Sequence, residues 1–245
     1  MMRRAFTTIF LVLTLVFVLP VMAQDGGTTI EYGQVVTGEI TNENFEIPYK
    51  FTGDTGDVIV VEMKQIEPLG DLNSPSVILL DTTSKVLGVG EAGFGDVVFV
   101  ARLPSSGEYT VLATRSDGRA GDSVGEFSLR LLKPPVLNAN EPVQDMVTSN
   151  TVNYYIVDVP GTFAISYQKT AGDFHPAITV NSVNEENQLE EVASLSGDFL
   201  IHGTVGVETE SAIAAEVYIV VVEEALWDFN YEEVTADYTI TLTQD

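Results

Sequence analysis

The sequence predicts an all-β protein made of two tandem antiparallel β-sandwiches. Three observations carry that expectation. Apolar residues alternate with period two over most of the chain, turn-forming clusters recur at short intervals, and a string of motifs repeats after about a domain's length.

The alternation comes first. Phe127, Leu129 and Leu131 alternate with Ser128 and Arg130, Phe163, Ile165 and Tyr167 with Ala164 and Ser166, and Tyr238, Ile240 and Leu242 with Thr239 and Thr241. Such segments are half-buried strands, one face inward and one to water. Val58–Val61 and Tyr218–Val222 are instead continuous apolar runs, the pattern of central strands covered on both faces. Between the strands lie Gly53-Asp54-Thr55-Gly56-Asp57, Pro104-Ser105-Ser106-Gly107, the 116–122 segment and Asn184-Glu185-Glu186-Asn187, residues that accept positive φ or cap turns with their own side chains. No segment carries a helical stripe, and 223–233 reads as a loop.

The repeat is the third observation. Phe51-Thr52-Gly53 matches Val159-Pro160-Gly161, and Gly70-Asp71-Leu72 with Val77–Leu80 matches Gly172-Asp173-Phe174 with Ile178–Val180. Gly107–Val111 matches Ala215–Ile219, and Gly125–Leu129 matches Ala236–Ile240. Order is kept, and the outer offsets are about 108 to 111 residues, the length of a domain. The expected organisation is a signal peptide over 1–23, one module over 24–134, a linker over 135–142 and a second module over 143–245.

The N-terminus supports export. Arg3 and Arg4 precede an apolar run over Phe10–Val18, Pro20 breaks it, and Val21-Met22-Ala23 supplies a small-residue cleavage site before Gln24. The expected location is secreted or extracytoplasmic, with no membrane insertion after removal of the signal. There is no cysteine, so neither a disulfide framework nor a lipid-bearing cysteine is available. Removing the signal leaves 9 Lys+Arg against 36 Asp+Glu, a net of −27. A polyanion of that size argues against nucleic acid and anionic membranes as partners.

Chemistry is sparse. The two histidines, His175 and His202, stand apart, and the chain has no Gly-x-Ser-x-Gly elbow and no His-Glu-x-x-His. Glu185-Glu186, Glu190-Glu191, Glu223-Glu224 and Glu232-Glu233 are adjacent pairs, and neighbours on a strand point to opposite faces. No catalytic residue is assigned and the chain is expected not to be an enzyme. Calcium needs several oxygen ligands from loops. Asp71 and Asp81 flank one strand and lie about 33 Å apart at ~3.3 Å per residue, too far to share an ion. In an up-and-down reading, successive loops alternate between the ends of a sandwich, so the loops at 66–73, 90–95 and 116–125 share an end and group Asp71, Asn73, Glu91, Asp117 and Asp122. Asp71, Asn73, Asp117 and Asp122 are the expected calcium ligands. The only tryptophan, Trp227, with Tyr231 forms an aromatic pair suited to stacking on a sugar or a protein partner.

Several motifs together resemble the bacterial pre-peptidase C-terminal domain family. They are Gly33-x-x-x-x-Gly38, Gly53-x-x-Gly56-Asp57, Gly70-Asp71-Leu72, Gly107-Glu108-Tyr109-Thr110-Val111 and Gly125-Glu126-Phe127-Ser128-Leu129. Thr29 to Lys133 carries them well, and the second half is a divergent copy that has lost several glycines. The resemblance implies two tandem jelly-roll-like antiparallel β-sandwiches. It also implies a non-catalytic accessory role in binding an extracellular polysaccharide or protein, with calcium in some members. The alternatives are a structural or surface-assembly component and a carboxylate-based hydrolase.

Overall fold

A computed structural model of the chain describes residues 27–66, 72–92, 95–159, 161–172, 176–184, 187–196, 202–207, 217–224 and 234–244. Residues 1–26, where the signal peptide is expected, and Asp71, His175, Trp227 and Tyr231 lie outside them. Strands make up 65% of the described residues, and the one helical element among them is a 3-10 turn at Gly118–Ala120.

The first half contains β1 (Thr28–Thr29), β2 (Val35–Ile40), β3 (Ile47–Gly53), β4 (Val58–Gln65), β5 (Pro75–Leu80), β6 (Val86–Glu91), β7 (Val97–Arg102), β8 (Gly107–Arg115) and β9 (Gly125–Leu132). They form two sheets, β2-β9-β4-β7 and β1-β3-β8-β5-β6. All pairs are antiparallel except the short parallel pair of β1 with β3. The second half contains β10 (Val143–Thr148), β11 (Asn153–Val157), β12 (Phe163–Gly172), β13 (Pro176–Val183), β14 (Leu189–Leu195), β15 (His202–Val207), β16 (Tyr218–Glu224) and β17 (Thr235–Gln244). Its sheets run β10-β17-β12-β15 and β11-β16-β13-β14. Each set of eight long strands thus has the same interleaved order, that of a jelly roll.

Inward residues are the alternate ones the pattern marks. Tyr49, Ile59, Val61, Met63, Val77, Tyr109, Phe127 and Leu129 meet in the first core. Tyr155, Phe163, Ile165, Tyr167, Ile178, Tyr218, Tyr238 and Ile240 meet in the second. Tyr109 and Tyr218 hold the same place, since Tyr109 pairs with Phe51 and Tyr218 with Val157, while Val111 and Val220 face Tyr49 and Tyr155. The repeat at this strand is therefore one residue displaced from the match of Gly107–Val111 with Ala215–Ile219. A one-residue slip would turn Tyr218 out of the core. In the same register Phe51 corresponds to Val157, not Val159. The 135–142 segment also does more than link. Val136 and Ala139 bridge β11 and β17, and Leu137 is buried in the second core.

A third apolar cluster joins the two sandwiches. Val58, Val60 and Val100 of the first pack against Tyr154, Ile156, Val217, Ile219 and Val221 of the second. The continuous runs in β4 and β16 are explained by this contact, because the outer face of each is covered by the other sandwich. Burial of their apolar surface stabilises the contact by roughly 25 cal/mol per Å² removed from water. The turn between β13 and β14 closes one side: Val100 N donates to Asn187 O at 3.0 Å and Gln188 Nε2 to Glu91 O at 3.3 Å.

Candidate binding face and loop cluster

Face-to-face stacking leaves one outer face open on each sandwich. In the second it belongs to β10-β17-β12-β15. Register sets its side chains in rows: His202, Gln168, Thr239 and Gln144 in one, Thr204, Ser166 and Thr241 in the next, then Gly206, Ala164 and Thr243. Neighbours in a row stand about 4.8 Å apart and rows about 6.8 Å apart. Ser166 Oγ and Thr204 Oγ1 are 3.2 Å apart, and Thr243 Oγ1 donates to Ala164 O at 3.3 Å. Ser166, Gln168, His202, Thr204, Thr239 and Thr241 line a shallow depression of about 240 Å³. No acid stands in these rows; Asp237, opposite Met146, lies at one end.

The matching face of the first sandwich shows what this surface is not. Register pairs Val60 with Ala164, Glu62 with Ser166, Arg130 with Thr241, Leu132 with Thr243 and Val98 with Thr204. Apolar and ion-paired residues occupy the face that is covered; neutral hydroxyls and amides occupy the face that is open.

At the seam Glu62 is 3% exposed. Arg130 Nε donates to Glu62 Oε2 at 2.5 Å, Tyr154 Oη donates to Glu62 Oε1 at 2.7 Å, and Arg130 Nη2 donates to Val152 O at 2.9 Å. Burial pushes the Tyr154 hydroxyl well above the usual tyrosine range, and the adjacent Glu62 charge adds to the shift. Burial likewise raises the Glu223 carboxyl; Lys64 opposes the shift and Glu62 reinforces it. Glu62, Lys64, Arg130 and Val152 line a cleft of about 230 Å³ beside the contact.

The loops expected to bind calcium do converge. Ser116 N donates to Ser74 O at 2.9 Å, Ser74 N to Ser123 Oγ at 3.2 Å and Ala92 N to Pro75 O at 3.4 Å. Their arrangement follows from the jelly-roll order, which also brings the 41–46 segment to this end. Among the described residues, no three acids, histidines or cysteines gather there as a metal group. Asn73, Glu91, Asp117 and Asp122 lie on or beside these loops, and Asp71 is outside the described residues. Arg115 fills the centre of the cluster. It is 2% exposed, and its Nε donates to Gly118 O at 2.8 Å. Nη1 donates to Asn42 Oδ1 and to Ser123 O, each at 3.0 Å. Its guanidinium lies 5.7 Å from the Phe45 ring centre, with Arg119 at 5.8 Å. Oxygens of the kind calcium would recruit are thus held by a fixed cation. Sequence reasoning missed Arg115, because no local pattern marks an arginine that a loop cage will bury.

His202 lies exposed beside Gln168 in the open face, away from the described acids of the loop cluster. No protein-family model matches the chain, and no curated protein matches it in sequence.

Proposed function

We propose that this chain is an exported, non-catalytic binding or accessory protein that engages an extracellular polymer or protein through the open β10-β17-β12-β15 face. One observation supports this above others: the second sandwich carries an uncovered, regular array of neutral donors and acceptors where the first carries a buried apolar and ionic surface. In a chain of net charge −25, rows without acid at the centre of the face suit a neutral polar ligand. A polyhydroxylated chain can exchange water for several hydroxyl and amide contacts there, each worth about 0.5–1.5 kcal/mol net. The resemblance to pre-peptidase C-terminal domains agrees with an accessory role.

The test is retention of the mature protein on insoluble neutral polysaccharides, cellulose and chitin, and on the proteins of the same extracellular fraction. Ser166→Lys with Thr241→Glu, an opposite-charge pair at the centre of the face, should abolish retention without lowering thermal stability. Retention that survives the pair would move the binding surface elsewhere.

A further inference from the structure

The cleft beside the contact between the sandwiches gathers hydrogen-bond donors that the fold itself does not use. On the β4-β9 face Glu62 stands opposite Arg130 and Lys64 opposite Ser128. Lys64 and Arg130 are thus diagonal neighbours, about 7–8 Å apart at the backbone. The facing wall is the turn between β10 and β11, with Asn150 and Thr151 in the lining. That turn is fixed on the second sandwich. Thr148 N donates to Thr151 Oγ1 at 2.9 Å, Thr151 N to Thr148 O at 3.0 Å and Ser149 N to Val234 O at 3.0 Å. The cleft of about 230 Å³ therefore needs both sandwiches in place. Glu62, the acid in its lining, has both oxygens engaged, one by Arg130 Nε and one by Tyr154 Oη. Arg130 spends a second N–H on Val152 O, which leaves its Nη1 without a partner among the described residues. Lys64 makes no hydrogen bond and no ion pair among the described residues, and neither does the Ser128 hydroxyl. Glu223 acts on Lys64 through its charge, from outside the lining.

We propose that this cleft is a binding site for a small organic monocarboxylate, its two oxygens held by Lys64 and the free side of the Arg130 guanidinium, with Ser128 beside them. The pairing of one compact and one planar cation suits a carboxylate, because charge-assisted bonds of this kind are about twice as strong as neutral ones. The volume lies just below the roughly 300 Å³ at which ligand pockets begin. It admits one sugar acid or the terminal residue of a peptide. Net charge narrows the class further. Two cations with spare donors draw in an anion locally, while the −25 of the whole chain repels anything that carries many negative charges. A ligand here touches strands of the first sandwich and a turn of the second, so it also holds the two together. The site is separate from the proposed binding face and does not depend on it.

Calorimetric titration and thermal unfolding of the protein with glucuronate and with N-acetylglycine decide the matter. Glucose and N-acetylglycinamide serve as the neutral counterparts, and sodium chloride at matched ionic strength as the simple anion. At least one carboxylate should bind and raise the melting temperature, while its neutral counterpart and chloride do neither. Which of the two binds tells a sugar acid from a peptide terminus. Lys64→Met should weaken binding by about 10- to 100-fold, the loss of a hydrogen bond to a charged group, with circular dichroism unchanged. Lys64→Arg should restore most of the affinity. Ser166→Lys with Thr241→Glu, on the other surface, should leave carboxylate binding intact, so the two readings fail separately. Binding of neither carboxylate overturns the proposal. So does an equal response to the neutral counterpart or to chloride, and so does a Lys64→Met variant that binds as the wild type does.

Discussion

The Tyr154 hydroxyl of one sandwich donates to Glu62 of the other at 2.7 Å, inside a contact that is otherwise apolar. Glu62 also takes the Arg130 guanidinium at 2.5 Å from the adjacent strand of its own sheet. A carboxylate buried this deeply is tolerated because both its oxygens are partnered. The Tyr154 bond is specific to one relative placement of the two sandwiches, and so it sets their register where the valines and isoleucines alone would permit sliding.

Tyr154→Phe tests that role. The ring stays and only the hydroxyl goes, so Glu62 Oε1 loses its donor within the buried seam. The expected cost is about 1–3 kcal/mol, the penalty for an unsatisfied buried group. Thermal unfolding of the mature chain measures it. A Tyr154→Phe variant as stable as wild type would show that the apolar contact alone fixes the geometry.

Much of this seam was legible in the sequence, though its meaning was not. The runs over Val58–Val61 and Tyr218–Val222 predict cover on both faces, and both strands have it. Nothing local says that each run is the cover of the other, since packing partners so far apart in sequence leave no periodicity. The alternating strands fix which residues point inward, hence the two cores. They do not fix the pairing between strands, hence the one-residue displacement between Tyr109 and Tyr218. The candidate face suffered the same limit: Ser166, Thr204 and Thr241 are unremarkable outward positions until the strand order of the jelly roll sets them in one row. Loop convergence near Ser74 and Ser116 followed from strand alternation. The cation at its centre did not, because burial of Arg115 depends on oxygens from two separate segments, 41–46 and 116–125.

Glu223 carries the pH dependence of the contact. It lies at the seam end of β16, and burial raises its carboxyl above the usual range, with Lys64 and Glu62 acting in opposite senses. A raised carboxylate binds its proton more tightly folded than unfolded. Between the unfolded value, about 4.3, and the higher folded one, the native state therefore holds more protons, and stability falls as pH rises through that window. The contribution is fully present below the unfolded value and lost above the folded one. Glu223→Gln should raise the melting temperature at neutral pH, and the gain should shrink as acid protonates the wild-type side chain. A constant difference across pH would mean that the glutamine acts through packing and not through charge.

Arg115 yields the last prediction, and it bears on calcium. With the guanidinium holding Gly118 O, Ser123 O and Asn42 Oδ1, a divalent ion would have to displace a fixed positive charge to reach those oxygens. The melting temperature of the wild-type protein should therefore respond equally, and little, to calcium and magnesium after chelator treatment. A ligand that binds only the folded state at about 100 times its dissociation constant would add roughly 2.7 kcal/mol, a shift easily seen. Arg115→Met keeps apolar bulk against Phe45 but strands those three acceptors in a buried cage. It should destabilise the chain by about 2–3 kcal/mol, the scale of losing hydrogen bonds to a charged group. A calcium-specific rise in the wild type would reverse the assignment. It would place an ion among the acids of these loops despite the arginine and return Asp71, Asn73, Asp117 and Asp122 as its ligands.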